Sequence, residues 1–145
     1  ALSAALWDFA AVRSGVATVT APVVEAFVPQ MLNYESVDGV SFKKGCYPGQ
    51  EVVARSQFRG AIKRRAYVGH VDGAAQAGQD VFAAGDAREP VGVIAQAAKA
   101  PQGGTAVIAV LRSEDVAAGL ALRVGEPEGA RLQELAIPYP LREDL

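Results

Sequence analysis

Residues 91–111, VGVIAQAAKAPQGGTAVIAVL, carry the clearest structural signal in this chain. Two runs rich in apolar and β-branched residues, Val91 to Gln96 and Ala106 to Leu111, lie on either side of Pro101-Gln102-Gly103-Gly104. Proline fixes φ and glycine tolerates positive φ, so the segment between the runs suits a turn. The pattern predicts two β-strands joined by that turn.

The same pattern extends in both directions along residues 61–145. Turn residues separate four more short β-prone runs: Ala66 to Val71, Asp80 to Ala83, Leu120 to Val124 and Leu132 to Ile137. Six short strands leave exposed edges in a flat sheet, whereas closure removes them. We therefore predict a small antiparallel β-barrel, with Ser113 capping one helical turn that Gly119 stops.

The chain before Gly60 has a different pattern. Apolar residues recur at helical spacing near its start: Leu2, Leu6, Phe9 and Val12. They predict a short amphipathic helix with Gly15 as its stop. The stretch Gly15 to Val24 is rich in β-branched residues and predicts one strand that Pro22 ends. The expected fold class is α+β, divided near Gly60 into residues 1–60 and 61–145.

Composition narrows the class of protein. Half of the 145 residues are apolar, 21% are charged and the net charge is −2, which excludes intrinsic disorder as the overall state. The longest uncharged stretches, 14–24 and 100–111, are roughly half of the ~20 residues that cross a bilayer, so no membrane span is expected. The start at Ala1 predicts a truncated or processed product. A single cysteine, Cys46, fits a reducing compartment such as the cytoplasm.

Positive charge is concentrated in one part of the chain. Seven basic residues lie between Lys43 and Arg65, against one acid, Glu51. An anionic partner would bind there, although long basic side chains also solvate ordinary surfaces. The charge pattern alone leaves both interpretations open.

The segment Lys44-Gly45-Cys46-Tyr47-Pro48-Gly49-Gln50-Glu51 lies inside this basic region. Proline suits the first position of a helix, so a helix is predicted from Pro48 to Phe58. Cys46 and Tyr47 would then lie at its positive end, where an anion is favoured and a thiol is more readily ionised. A buried structural thiol is the alternative for Cys46. Glu51 could equally be a charge that only stabilises the first turn.

Common enzyme signatures are missing from the sequence. The chain has one histidine, His70, and no HExxH, paired-cysteine, GxSxG or GxxxxGK[ST] pattern, which leaves zinc, hydrolase and P-loop chemistry without support. We expect His70 to be a packed or edge residue of its strand.

The segment Lys44 to Glu51 resembles, without mismatch, the K-G-C-[YF]-x-G-Q-E signature of the YgfZ family, the folate-binding relatives of the glycine-cleavage T-protein. The likeness extends over Phe27 to Arg64 and is loose in the barrel. Family members are roughly twice as long. The resemblance implies that residues 1–60 are the end of a folate-binding α+β domain and that residues 61–145 are the C-terminal barrel.

The resemblance also implies a function. The protein would bind tetrahydrofolate or a derivative and support iron–sulfur enzymes, including those that thiolate tRNA, with no settled reaction. The matching positions would form the site: the functional thiol Cys46 and Lys44, with Lys44, Tyr47, Gln50, Glu51 and Arg55 contacting the cofactor. The folate site is expected to be incomplete, because related sites use a carboxylate from elsewhere in the chain.

Two alternatives remain from different classes. An aminomethyltransferase of T-protein type would be a folate-dependent one-carbon transferase, but those enzymes tend to carry an acid where this chain has Cys46. An RNA-binding barrel would use basic and aromatic residues near the barrel entry: Lys63, Arg64, Arg65, Tyr67 and Phe58.

Overall fold

The computed structural model describes residues 1–142, and its centre is a closed antiparallel β-barrel. Its strands are β1 (Arg64–Val71), β2 (Asp80–Ala83), β3 (Gly92–Lys99), β4 (Thr105–Arg112), β5 (Leu122–Val124) and β6 (Ala130–Ala136). Around the barrel they follow the order β1-β4-β3-β2-β5-β6, and β6 pairs with β1 to close it. The predicted antiparallel barrel is confirmed.

All six predicted strands are present, and their ends differ from the predictions by up to three residues. The largest difference is in β3, which continues to Lys99 because Lys99 pairs with Thr105 across the hairpin. The first strand likewise begins early, because Arg64 pairs with Arg112 of β4. Strand ends therefore follow the partner strand rather than the local composition.

Strand β4 is buried on both faces and separates two apolar cores. Val107, Ala109 and Leu111 point into the barrel, where they pack with residues of the other strands. The alternate residues Ala106 and Ile108 point outward, into a second core that also contains Val12, Ala17 and Leu32 of the N-terminal segment. We call this second core the outer core. It anchors residues 1–60 to the barrel wall.

The N-terminal segment begins with the predicted helix, α1 (Ala4–Arg13). Ser3 caps it by accepting a hydrogen bond from the Leu6 amide at 3.2 Å, and Gly15 follows with φ +72°. Val12, on its inner face, is fully buried in the outer core. The helix and its glycine stop are confirmed.

The strand predicted over Gly15 to Val24 is wrong. This stretch is irregular apart from a 3₁₀ turn at Ala21–Val23. The Thr18 amide donates to the Gln96 side-chain oxygen at 2.8 Å instead of to a neighbouring strand. A closed barrel has no free edge to extend, so β-branched composition finds no ladder here. Two further 3₁₀ turns follow, at Pro29–Leu32 and Tyr34–Val37.

The other two helices are present but begin differently from the predictions. Helix α2 (Gln50–Phe58) starts with Gly49 as its N-cap, so Pro48 precedes the helix instead of occupying its first position. Helix α3 (Ser113–Ala117) includes Ser113, whose predicted capping role is wrong because Arg112 is the N-cap. Gly119, with φ +69°, follows α3 as expected.

A buried polar cluster joins the N-terminal segment to the barrel. Arg65 of β1 forms an ion pair with the fully buried Glu35 and donates to the Gln30 carbonyl at 3.0 Å. Asn33 donates through Nδ2 to the Ala66 carbonyl at 2.8 Å. We call Gln30, Asn33, Glu35 and Arg65 the buried polar cluster. The division of the chain near Gly60 stays a prediction.

Candidate functional site

A tight turn holds the signature segment in front of helix α2. Gly49 has φ +82° and ψ −1°, the values of the third residue of a type II turn, and proline is favoured just before it. The Gln50 amide donates to the Tyr47 carbonyl at 3.3 Å. The Tyr47 amide donates in return to Gln50 Oε1 at 3.2 Å. The Pro-Gly pair and Gln50 thus fix the loop that carries Cys46 and Tyr47.

This loop and one face of α2 enclose an open cavity of about 350 Å³. We call it the motif cavity. Its walls come from both elements: Ser41, Phe42, Lys44, Cys46 and Tyr47 from the loop, and Gln50, Glu51, Ala54 and Phe58 from the helix. Five of the six predicted site residues therefore lie together.

The Cys46 side chain is exposed at this cavity. The alternative of a buried structural thiol is wrong. Cys46 lies three residues before the Gly49 N-cap, outside the first turn of α2. The amides of Gln50 and Val52 are already bonded to Tyr47 and Gly49 carbonyls. The positively charged side chain that shares the motif cavity with the thiol is Lys44.

Lys44 and Tyr47 are paired beside the thiol. Lys44 Nζ lies 5.5 Å from the centroid of the Tyr47 ring, within the range of a cation–π contact. Lys44 has no ion pair within residues 1–142. The cavity therefore presents an unneutralised ammonium group next to a flat ring and a thiol.

Sequence reasoning missed the aromatic wall of the motif cavity. Phe42 and Phe58 pack edge to face, with ring centroids 5.4 Å apart and planes inclined at 65°. A signal was available, since Gln50, Ala54 and Phe58 are spaced by four residues and share a helix face. Phe42, by contrast, is brought in by the loop, which has no periodic pattern.

Arg55 is the predicted site residue that does not face the motif cavity. It lies on another face of α2 and lines a separate groove with Arg59, Lys63 and Arg64. Helix α2 thus divides two concave surfaces of different chemistry.

Two residues of the predicted RNA-binding surface make contacts inside the fold. Arg65 is buried against Glu35, and Tyr67 packs against the barrel interior. Arg65 is therefore unavailable to RNA, whereas Tyr67 is partly exposed and its contact with RNA stays a prediction. Lys63 and Phe58 remain exposed.

His70 is a partly buried residue at the end of β1, as expected. Its Nε2 lies 3.2 Å from Asp72 Oδ1. Within residues 1–142, no group of three or more His, Cys, Asp or Glu residues could hold a metal ion. In the same range, no helix has the length and apolarity needed to span a membrane.

The residues of the motif cavity fit part of a folate. Three aromatic rings and a free ammonium suit a ligand that combines flat rings with carboxylates. The cavity of about 350 Å³ is near the lower end of the roughly 300–1,000 Å³ range of ligand pockets. A cavity of this size would hold only a portion of so long a molecule, and the expected incomplete folate site stays a prediction.

Comparisons with known proteins point to one family. The chain is 34% identical to the tRNA-modifying protein YgfZ of Cronobacter sakazakii over 145 residues, covering 97% of this chain and 44% of the relative. It is 38% identical to the protein of that name in Serratia proteamaculans, covering 85% of this chain and 39% of the relative. It is 36% identical to the protein of that name in Yersinia pestis, covering 95% of this chain and 42% of the relative. The chain therefore spans about two fifths of the length of these curated relatives. No protein-family model matches the chain.

Proposed function

Because this chain belongs to the YgfZ family, matching the C-terminal part of its members, we propose that it is a folate-binding accessory factor in tRNA modification. It supports iron–sulfur enzymes that act on tRNA and does so through Cys46. The motif cavity is its binding surface for tetrahydrofolate or a derivative. Relatives of this family are named as tRNA-modifying proteins, which supports the tRNA assignment.

One observation carries the proposal: the single thiol of the chain is exposed at a cavity that also contains a free lysine and three aromatic rings. A thiol kept for packing would be buried. Reactive cysteines instead lie in partly exposed, electropositive surroundings. The position of Cys46 matches the second description.

Each residue of the cavity has a distinct role in this proposal. Lys44 attracts the carboxylates of the ligand, and Tyr47 stacks on a flat ring. Phe42 and Phe58 form the apolar wall. Glu51 supplies an acceptor for ring N–H groups. Tetrahydrofolate, when bound, supplies one-carbon chemistry.

Cys46 also suits the proposed clients. Thiolates are preferred ligands of iron–sulfur clusters, and an exposed thiol can reach a cluster or a sulfur carrier on another protein. Cys46 is the single cysteine of this sequence. The thiol would therefore act by contact with its client rather than by holding a cluster alone.

The tRNA function is tested by complementation. In a host whose own YgfZ gene is deleted, the gene encoding this chain is expressed as wild type, C46S, K44A or K99A, and thiolated nucleosides in bulk tRNA are measured by mass spectrometry. We expect C46S and K44A to lower thiolation at least tenfold relative to wild type. Lys99 is an exposed lysine at the end of β3, so K99A is the matched control. Full activity of C46S would overturn the role of the thiol.

Folate binding is tested separately by calorimetry with tetrahydrofolate. We expect weak binding by the chain, which K44A and Y47A abolish and K99A leaves unchanged. The longer relative from Cronobacter sakazakii should bind more tightly. Absence of binding by both proteins would refute the folate assignment and leave the tRNA assignment standing.

A further inference from the structure

The groove on the other side of α2 collects four basic side chains that form no ion pair within residues 1–142. Of the seven basic residues between Lys43 and Arg65, only Arg65 forms an ion pair within residues 1–142. Four of the remaining six line this one groove, of about 510 Å³. We call it the basic groove: Arg55, Arg59, Lys63 and Arg64. Among the described residues 1–142, no carboxylate lines it.

The fold brings these four side chains together from two elements. Arg55 lies in α2 and Arg59 is its C-cap, one helical turn further on, so the two side chains are neighbours on one face. Lys63 immediately precedes β1, and Arg64 is its first residue. The floor between them is apolar, with Val28, Met31 and Ile62.

The four cations line one groove, and a bound anion would relieve the repulsion between them. Mutual repulsion of like charges destabilises the folded state, and side chains kept only for solubility would be mixed with acids, as they are elsewhere in this chain of net charge −2. Arginine binds phosphate in a two-pronged geometry, and three of the four residues are arginines. An elongated, multiply charged anion matches a groove better than a single small ion.

An aromatic side chain extends the surface beyond the charges. Phe58 immediately precedes Arg59, and its side chain is 62% exposed although it packs against Phe42. Phe58 lines the motif cavity and not the groove, but it adjoins Arg59 in the sequence. Proteins bind single-stranded RNA through cations that contact phosphates and through exposed rings on which bases stack. An acidic peptide has no nucleobase that could stack on the Phe58 ring.

We propose that the basic groove binds the phosphate backbone of an RNA strand, with a base stacked on Phe58. The groove itself is separate from the motif cavity, with which the proposed site shares only Phe58, and RNA binding there deepens the proposed tRNA function by identifying RNA itself as a direct partner. Because Phe58 also lines the motif cavity, a strand in the groove would place its stacked base on the same side of α2 as Cys46.

The test is binding of unmodified tRNA by fluorescence anisotropy over a range of salt concentrations. About four phosphate contacts predict a slope of log K against log salt near −3. We expect R59A/K63A to weaken binding at least tenfold and to make the slope shallower by about 1 to 2. The control R13A/K99A removes two exposed cations outside the groove and should leave affinity and slope within about twofold of wild type.

A second pair of measurements separates RNA from other anions. F58A should weaken tRNA binding at least fivefold and leave the salt slope unchanged, because stacking releases no counterions. Poly-glutamate of matched length should bind at least tenfold more weakly than tRNA.

Equal binding of poly-glutamate, equal loss in the R13A/K99A control, or no tRNA binding would each overturn the proposal. Circular dichroism checks that the variants fold, and R59Q/K63Q serves if alanine unfolds the chain. Tetrahydrofolate calorimetry on R59A/K63A keeps the tests apart. Weaker RNA binding by R59A/K63A with folate binding intact supports a groove that acts apart from the motif cavity, and unchanged RNA binding refutes the groove alone. RNA binding by the wild type without any folate binding refutes the folate assignment alone.

Discussion

The buried polar cluster and the motif cavity are both rich in polar side chains, yet the fold uses them in opposite ways. In the cluster, Glu35 is fully buried and forms an ion pair with Arg65. In the cavity, Lys44 and Cys46 are exposed and bind no counter-charge within residues 1–142. The hydrogen bonds and the ion pair made inside the chain hold residues 1–60 on the barrel, although the cluster also contains buried oxygens without a partner within residues 1–142. Polar groups left unsatisfied at the surface are available to a ligand.

One stretch of basic sequence likewise contributes both to the buried polar cluster and to the surface. Arg64 and Arg65 are adjacent, but β-strand geometry sends them to opposite faces. Arg65 goes inward to the Gln30 carbonyl and Glu35, and Arg64 goes outward to the basic groove. Substitutions in the cluster should therefore change stability, and substitutions in the cavity should change reactivity.

The largest effect is expected from Glu35→Ala. It leaves the Arg65 guanidinium buried without a counter-charge, which costs about 3–5 kcal/mol of unfolding free energy. Urea unfolding followed by circular dichroism measures it. The double variant E35A/R65M should recover much of the loss, because removing both charges removes the uncompensated one. A loss below about 1 kcal/mol would contradict the assignment of this pair as a stabilising contact.

Asn33→Ala should have the next largest effect. Asn33 is fully buried, and its Nδ2 donates to the Ala66 carbonyl and to Tyr139 Oη, at 2.8 and 3.3 Å. Loss of these bonds costs about 1–3 kcal/mol. Asn33 also has φ +60°, which costs alanine roughly 1 kcal/mol more. N33G keeps the backbone freedom, so the difference between the two variants isolates the strain. Equal unfolding free energies for N33A and N33G would show that backbone strain contributes nothing.

Alkaline pH should lower the free energy of unfolding by a smaller amount, through two tyrosines of the same region. Burial raises the pKa of Tyr139, against a smaller opposite effect of its hydrogen bond from Asn33, and burial also raises the pKa of Tyr34. Raised values mean that the folded protein holds these protons more tightly than the unfolded chain. This stability is fully present below the unfolded value of ~10 and is lost as pH rises past it.

Urea unfolding between about pH 9 and pH 11 tests this expectation. Tyr34 Oη donates to the Ala17 carbonyl at 2.5 Å, and Tyr139 Oη donates to the Gly15 carbonyl at 2.7 Å. The variant Y34F/Y139F lacks both phenols and should be less stable at neutral pH, by about 1 kcal/mol for each of these lost hydrogen bonds, with a shallower decline above ~10. Parallel declines in wild type and variant would contradict it.

The smallest stability effect is expected from Cys46→Ser. An exposed side chain with no hydrogen-bond partner contributes little, so the unfolding free energy should change by less than about 0.5 kcal/mol. The wild-type thiol should nevertheless react with iodoacetamide at neutral pH several times faster than a cysteine in an unstructured peptide, since Lys44 lies nearby. K44A should slow this reaction and K99A should not. A destabilisation above 1 kcal/mol would mean that Cys46 belongs with the buried residues.

The barrel could be predicted because alternating strand patterns and glycine turns are local signals. All six strands were found, since β-branched runs and their separators are written within a few residues of each other. The prediction of a strand over residues 15–24 was wrong because it depended on a non-local property of the fold. Its composition favours a ladder, but only the closed tertiary structure shows that no edge is available to pair with it.

The candidate site was predictable to the same degree. The signature Lys44 to Glu51 is contiguous, so its residues were bound to lie near one another, and the Pro48-Gly49 pair indicated a turn. Whether Cys46 is exposed, whether Phe42 meets Phe58, and which basic residues share a groove depend on packing between distant segments. No local pattern carries that information.

Sequence alone was enough for the six strands, the first helix and the contiguous signature, because each depends on preferences of neighbouring residues. Tertiary structure alone assigned Arg65 to a buried ion pair, Arg55 to a groove away from Lys44, and the thiol to the surface. The physical reason is that burial and charge pairing are properties of the whole fold: a side chain is desolvated or paired by residues that lie far away along the chain.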